Sequence, residues 1–163
     1  KDVPLVIAGV DYLLPLYRQA NTCPGLLPVE IKGDLDALRA EALHQKAWPL
    51  IDPLVRKTRA EALEKLLGTI GSKKASTSLP QIVPASFQGN VSTLFVSSKK
   101  HEWGSLDRFK GGAVTRMGGR EEAGCEDLYD FAALHTLLKG GKVFVVEGSA
   151  VFEGVSIAAM LRQ

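Results

Sequence analysis

The sequence predicts an α/β fold, and more specifically a three-layer α/β/α sandwich with a mixed or mostly parallel sheet. Short, nearly continuous apolar runs, typical of strands buried on both faces, alternate along the chain with longer segments of helical period. That alternation favours a sheet covered by helices on both sides. The composition agrees with a globular domain, because 45% of the residues are hydrophobic and 23% are charged.

The first part of the chain predicts strands and helices in alternation. Asp11 can cap one helix, and Gly33-Asp34 offers a turn and a cap for the next. The predicted elements are a strand over residues 3–10, a helix over 12–21, a strand over 28–31 and a helix over 35–48. This order is typical of the opening of an α/β domain.

Two prolines, Pro49 and Pro53, interrupt what would otherwise be one long helix. Proline inside a helix removes a backbone hydrogen bond, so we expect a kink or break near residues 49–52 and a separate amphipathic helix over residues 54–67. We predict the domain boundary at the same place, with residues 1–48 in one domain and residues 49–163 in the next.

The second part of the chain continues the alternation. A loop is predicted over residues 68–77, and Ser78 can cap the helix that follows it. Residues 99–112 show no clear period and are predicted to be a loop. The remaining predicted elements are a helix over residues 79–88, strands over 91–96 and 113–116, a helix over 126–138 and strands over 143–146 and 157–161.

Charge, cysteine content and hydropathy narrow the class of protein. A net charge of +2 is too small for a general nucleic-acid-binding protein, so DNA is not expected as a partner. Cys23 and Cys125 stand far apart, which favours a reducing compartment and a cytoplasmic location. No apolar run reaches the roughly 18 to 20 residues of a membrane span. The chain begins with Lys1 and leads directly into a strand, which suggests a piece of a longer protein.

Several residues have the chemistry of catalytic groups, but each has a simpler interpretation. His135 shares a helix face with apolar residues, which predicts a packed histidine. Cys125 precedes a helix without an evident partner base, and Glu126, Asp127 and Asp130 suit the positive end of that helix. We therefore expect no catalytic residue.

Metal and cofactor sites also find little support in the sequence. The three histidines lie in unrelated segments, and none stands with Cys or Asp at metal-ligand spacing. The glycine-rich residues 68–74 do not have the spacing of a phosphate loop, and a helix precedes them where a strand should. We expect neither a metal nor a cofactor, and we interpret residues 68–74 as a mobile linker.

One group of basic loop residues, with an aromatic among them, predicts a binding surface for RNA or a partner. Lysines can contact phosphates, and an exposed aromatic ring can stack on an unpaired base. The alternative is an ordinary solvated surface. The predicted site consists of Lys73, Lys74, Lys99, Lys100, Trp103, Arg108 and Lys110.

Three stretches of the sequence resemble the bacterial branch of the archaeo-eukaryotic release factors, a family to which Pelota is related. They cover residues 4–18 together with 33–34 and 43–48, residues 75–96, and residues 126–146 together with 158–162. The resemblance implies that residues 1–48 are the tail of the middle domain. It further implies that residues 49–163 are the C-terminal domain, with the α/β/α fold of the third domain of these factors.

In release factors, hydrolysis depends on a Gly-Gly-Gln tripeptide of the middle domain, and this chain contains no such tripeptide. Gly118-Gly119-Arg120 differs in its last residue, and arginine lacks the acceptor that glutamine has. The resemblance thus implies a non-catalytic recognition domain that acts with the ribosome, RNA or a protein partner in translation. The alternatives are a small α/β hydrolase or nucleotide-binding protein, and an oligomerisation scaffold.

Overall fold

The computed structural model describes residues 3–34, 38–119, 124–148 and 150–162. The chain divides into two compact units, Lys1–Ala60 and Glu61–Gln163. The boundary predicted between residues 48 and 49 separates the two family domains that the resemblance implies. A division of the chain by its internal contacts does not test that boundary, so it stays a prediction. In the described residues, no helix is both long and apolar enough to cross a membrane.

The first unit contains the predicted strand-helix-strand opening. Its elements are β1 (Leu5–Gly9), α1 (Leu13–Ala20), β2 (Leu26–Lys32) and the first part of α2 (Ala40–Leu67). The two strands pair in parallel, as a right-handed crossover through a helix requires. Arg18 of α1 donates to Glu30 at 3.1 Å and to the carbonyl of Leu27 at 3.0 Å, which holds the helix against β2.

Helix α2 is continuous over 28 residues, so the short break near residues 49–52 and the separate helix over residues 54–67 are wrong. The alternative, a kink at this place, stays a prediction. The two prolines deprive the carbonyls of Gln45 and Pro49 of their usual donors, but both residues are exposed, and water can satisfy these groups. An ion pair between Arg56 and Asp52, 2.7 Å apart, bridges the turn that contains Pro53. The predicted start of this helix at residue 35 falls on residues 35–37, which lie outside the described part of the chain.

The second unit contains the end of α2 and most of the strands. Besides a short 3-10 helix (Arg108–Lys110), its elements in chain order are β3 (Ala75–Ser76), α3 (Leu79–Phe87), β4 (Val91–Ser97), β5 (Trp103–Asp107), β6 (Ala113–Gly119), β7 (Glu126–Asp127), α4 (Leu128–Leu138), β8 (Lys142–Val146) and β9 (Ile157–Leu161).

A four-stranded sheet in the order β3-β9-β4-β8 forms the centre of this unit. Strand β8 runs parallel to β4, whereas β9 is antiparallel to both β4 and β3, so the sheet is mixed, as predicted. Side chains alternate between its faces. Leu94 packs with α3 and α4 on one side, while Phe95 packs with Leu66 of α2 on the other. Helices therefore cover both faces, which confirms the three-layer α/β/α fold.

A second, three-stranded sheet in the order β6-β5-β7 lies beside α3 and α4. Residues 99–112 were predicted to be a loop, but they contain β5 and the 3-10 helix. The strand escapes the sequence pattern because it is only five residues long, contains Gly104 and pairs with β6 through two register shifts. The predicted strand over 113–116 is confirmed as part of the longer edge strand β6. Gly118 and Gly119 lie in that strand, whereas Arg120 lies outside the described residues.

Candidate functional site

The structure separates the seven predicted binding residues into different places. Lys73 and Lys74 precede β3, and Lys99 and Lys100 follow β4. Strands β3 and β4 run in the same direction, because both are antiparallel to β9. The two lysine pairs thus lie at opposite ends of the sheet, about 20 Å apart for the length of β4. The set does not form one continuous surface, and its binding role stays a prediction.

Trp103 and Arg108 are brought together by a groove of about 620 Å³ between the small sheet and α4. Trp103 opens β5, and Arg108 follows the same strand. The opposite wall comes from α4 and includes Leu134, His135 and Leu137. The groove therefore combines an aromatic ring, a guanidinium group and aliphatic side chains along one helix.

Asp127 fixes the start of α4 against the small sheet. One carboxylate oxygen, Oδ1, accepts from the backbone N–H of Tyr129 at 3.0 Å, which is the N-cap contact expected of an acid at this place. The other oxygen lies 2.5 Å from Nδ1 of His101. The N–H of Leu128 donates to the carbonyl of Glu102 at 2.9 Å. These contacts tie the helix to the strand that carries Trp103.

The two histidines near the groove respond to their surroundings in opposite ways. The hydrogen bond and negative charge of Asp127 raise the pKa of His101 above its usual 6.5. Burial lowers the pKa of His135, and the positive charges of Arg108 and Lys139 lower it further. His135 packs against Phe131, with ring centroids 4.2 Å apart, and against Phe87, at 5.1 Å. The predicted packed histidine is confirmed.

The basic residues of the segment that follows β5, Arg108 and Lys110, are paired with acids. Nη2 of Arg108 donates to Glu126 at 2.6 Å, and Nζ of Lys110 lies 3.6 Å from Asp107. Between them in the chain, the ring of Phe109 is 103% exposed. It is the fully exposed aromatic of this region, whereas Trp103 is half-buried. Sequence reasoning named Trp103 and did not name Phe109, although the position of Phe109 in a short turn between an Asp cap and a glycine was a usable signal.

Apolar side chains on the outer face of α4 were also missed. Leu134, Leu137 and Leu138 are 56%, 57% and 69% exposed. The helical period of this segment indicated its buried face, but it did not indicate that the opposite face would also be apolar. Exposed aliphatic side chains that follow one another along a helix are typical of a surface that another protein covers.

The other candidate chemical groups do not converge. Sγ of Cys125 lies 3.8 Å from Oγ of Ser105, and no histidine contacts it among the described residues. The same residues contain no cluster of three or more His, Cys, Asp or Glu side chains that could hold a metal ion. Glu126 pairs with Arg108 and Asp127 caps α4, so both acids have structural roles.

Comparison with known families identifies the chain. The sequence profile of Bacterial archaeo-eukaryotic release factor family 3 matches residues 1–90, which is more than half of the sequence. The chain belongs to this family. The resemblance inferred from three stretches of sequence is therefore confirmed. No curated protein sequence matches this release-factor relative.

One solved release-factor domain shares the fold of this family member. The C-terminal domain of a peptide chain release factor from Methanosarcina mazei superimposes with a TM-score of 0.50 and 15% identity, over 78% of this chain and 97% of that domain. Pelota from Archaeoglobus fulgidus matches with a TM-score of 0.42 and 20% identity, over 98% of this chain and 48% of Pelota. The first of these likenesses confirms the fold predicted from the sequence.

Proposed function

We propose that this chain is a recognition module of a release-factor-like protein, which acts at the ribosome and does not itself catalyse a reaction. The observation that carries the proposal is membership of a release-factor family in a chain without the Gly-Gly-Gln tripeptide. A module of this kind contributes binding rather than chemistry. Its structure then matters for the surfaces that it offers to the translation machinery.

The groove beside α4 is the surface that best suits a protein partner in translation. Tryptophan and arginine are enriched among the residues that dominate protein interfaces, and the groove contains Trp103 and Arg108. Leu134 and Leu137 provide exposed aliphatic surface beside them. Arg108 is paired with Glu126, and Asp127 and Asp130 also line the groove. This excess of acidic side chains disfavours a phosphate backbone and leaves an amphipathic surface.

The hydrolase alternative has no comparable support. A hydrolase needs a nucleophile within hydrogen-bond reach of a base. The thiol of Cys125 has only Ser105 as a polar neighbour among the described side chains, and the ring of His135 packs between Phe87 and Phe131. No specific observation favours a reaction at either residue.

Co-sedimentation of the full-length protein with ribosomes tests the proposal. We expect the wild-type protein to associate with ribosomes in at least one tRNA or nucleotide state. Leu134→Ser should weaken that association about tenfold, because it removes exposed aliphatic surface that lines the groove. Failure to associate in every state, or an undiminished association of the variant, would count against the proposal.

Val145→Ser is the matched control for this experiment. Val145 is 55% exposed, close to the 56% of Leu134, but it lies on the edge strand β8 and not in the groove. We expect this variant to sediment with ribosomes as the wild-type protein does. An equal loss in both variants would mean that reduced stability, and not the groove, explains the effect.

A further inference from the structure

A second surface lies at the other end of the four-stranded sheet. Strands β3, β4 and β8 all begin at this end, and β9 finishes there, because β9 alone runs in the opposite direction. The last turn of α2 covers the same end. A pocket of about 550 Å³ lies where these five elements meet.

Four basic side chains surround this pocket, and each comes from a different element. Lys65 lies in the last turn of α2, Lys74 precedes β3, Lys142 opens β8 and Arg162 follows β9. Nη2 of Arg162 donates to the carbonyl of Lys139 at 2.9 Å, which positions the guanidinium group at the mouth. Only Lys74 belongs to the binding site predicted from the sequence.

The positive charge of the pocket is not compensated. Among the described residues that line it there is no aspartate or glutamate, and none of Lys65, Lys74, Lys142 and Arg162 lies within 4.0 Å of a carboxylate oxygen in the described part of the chain. This differs from the groove, where Arg108 has an acidic partner in Glu126. Four converging cations without an acid create a local potential that favours an anion.

A hydroxyl group in the lining of the pocket supports the same conclusion. Thr93 of β4 is 8% exposed as a residue, and its hydroxyl has no hydrogen-bond partner among the described residues. That hydroxyl is not among the fully buried polar atoms of the described residues, so a molecule in the pocket can reach it. The strand register places Thr93 opposite both Lys142 and Met160, so it lies between the elements that carry the charges. It is therefore available for a hydrogen bond with a bound anion.

The end of α2 does not cancel this attraction. A helix C-terminus presents carbonyl oxygens, which repel an anion. Here the carbonyl of Glu64 accepts from the N–H of Gly68 at 3.0 Å, and that of Leu66 accepts from the N–H groups of Thr69 and Ile70 at 2.9 and 3.0 Å. The hydroxyl of Thr69 also donates to the carbonyl of Lys65 at 2.8 Å. The carbonyls of residues 64–66 are thus occupied within the protein.

We propose that this pocket binds a phosphate group of an RNA backbone. Lysines bind phosphate as point charges, and an arginine can add a directed contact. No aromatic side chain is among the described residues that line the pocket, so the site suits the backbone and not the bases. The choice of RNA as the source of the phosphate rests on the proposed function at the ribosome.

Binding of a fluorescently labelled ribosomal RNA hairpin to the full-length protein tests the proposal. We expect the triple variant Lys65→Ala, Lys74→Ala, Lys142→Ala to bind about tenfold or more weakly at low salt. The slope of log affinity against log salt concentration should be shallower by about 2 to 3. Each phosphate contact releases counterions from the RNA, and the variant makes fewer such contacts. All three lysines are exposed, so the variant should unfold at the wild-type temperature.

The matched control removes the same charge from elsewhere in the same unit. Lys73, Lys99 and Lys100 are exposed residues of the alternative binding site predicted from the sequence, and they do not line the pocket, so their variant decides between the two sites. Their triple alanine variant should keep the affinity within about twofold and keep the salt slope. Equal losses in the two triple variants would overturn the pocket, because net charge alone would then explain the binding.

A variant that leaves the charge unchanged probes the hydroxyl. Thr93→Val should weaken RNA binding about threefold and leave the salt slope unchanged, because it removes a neutral hydrogen bond and no cation. An unaltered affinity in this variant, or in the pocket lysine variant, would overturn the proposal. So would a wild-type protein that does not bind the hairpin.

Two further measurements are needed. The first separates RNA from free phosphate as the source of the phosphate group, and the second separates the pocket proposal from the proposed function. Inorganic phosphate at the same phosphate concentration should raise the melting temperature less than the hairpin does, and equal stabilisation would overturn the assignment to RNA. If the protein sediments with ribosomes and the pocket lysine variant does so equally, the pocket proposal fails and the proposed function stands. If the hairpin binds through the pocket but the protein does not sediment with ribosomes, the pocket proposal stands and the proposed function fails.

Discussion

The groove beside α4 and the basic pocket belong to the same unit, but they differ in whether their basic side chains have acidic partners. In the groove, Arg108 is paired with Glu126, and the surface around the pair is aliphatic and aromatic. In the pocket, Lys65, Lys74 and Lys142 converge without an acid among the described lining residues. In the two proposals, positive charge without an acidic partner distinguishes the phosphate site from the protein-binding groove.

The turn between α4 and β8 connects the two sites, and breaking it should have the largest effect. A Cβ atom at Gly141 would lie 2.6 Å from Cγ2 of Thr136 and 2.9 Å from the carbonyl oxygen of Val91. Backbone cannot yield to such contacts easily, so Gly141→Ala should lower the free energy of unfolding by about 3 kcal/mol. Urea denaturation measures this loss, and both RNA and partner binding should fall together.

The neighbouring glycine provides the control for this prediction. Gly140 has a φ of +76°, but a Cβ atom there would have no neighbour within 4 Å. Gly140→Ala should therefore cost only about 1 kcal/mol, the strain of a left-handed residue. Adding Thr136→Ser to Gly141→Ala removes Cγ2 and should recover part of the loss. Equal costs at the two glycines would contradict the packing argument.

The layered core was predictable from sequence because its signals are local. Strand β4 contains the apolar residues 94–96 after Val91, and the helix α4 is bounded by Asp127 and Gly140. Both were found within a residue or two. The break predicted at Pro49 was wrong because the cost of a proline depends on whether water can reach the freed carbonyls, and that depends on the exposure of the folded helix.

The candidate sites were only partly predictable because they are made by strand order. Lys65, Lys142 and Arg162 are far apart in sequence, and only the position of β9 between β3 and β4 brings their segments to one edge. Arg108 was visible as a basic loop residue, but its pairing with Glu126 required the small sheet. A sequence pattern reports which residues are basic, and it does not report which of them have acidic partners.

Salt dependence sharpens the contrast between the two sites. In ribosome sedimentation, the deficit of the Lys65, Lys74, Lys142 alanine variant should shrink from about tenfold towards zero as salt is raised, because high salt removes the electrostatic term from the wild-type protein as well. The deficit of Leu134→Ser should stay at about tenfold, since burial of aliphatic surface is not screened. Two deficits that shrank in parallel would mean that both sites bind through charge.

The buried hydroxyl of Thr136 yields a smaller prediction with the opposite sign. Thr136 is fully buried in α4, and Oγ1 has no hydrogen-bond partner among the described residues. Thr136→Val keeps the shape of the side chain and removes the unsatisfied hydroxyl, so it should raise the free energy of unfolding by about 1 kcal/mol. Thr136→Ser keeps the hydroxyl and should lower it. A less stable valine variant would imply that a water molecule serves the hydroxyl.

The smallest expected effect is a pH dependence of stability, which comes from the two histidines near the groove, His101 and His135. The pKa of His101 is raised by its hydrogen bond with Asp127, so its contribution to stability is fully present below the unfolded value of 6.5 and is lost as pH rises through the folded pKa. His101→Asn should therefore destabilise the protein at about pH 6 and have no effect on its stability at about pH 9.

The pKa of His135 is lowered by burial, so protonation of His135 favours unfolding below pH 6.5. His135→Asn should therefore change the slope of the free energy of unfolding against pH in that range. Chemical denaturation across this range tests both signs, and a pH-independent difference for His101→Asn would show that its pairing with Asp127 does not depend on protonation.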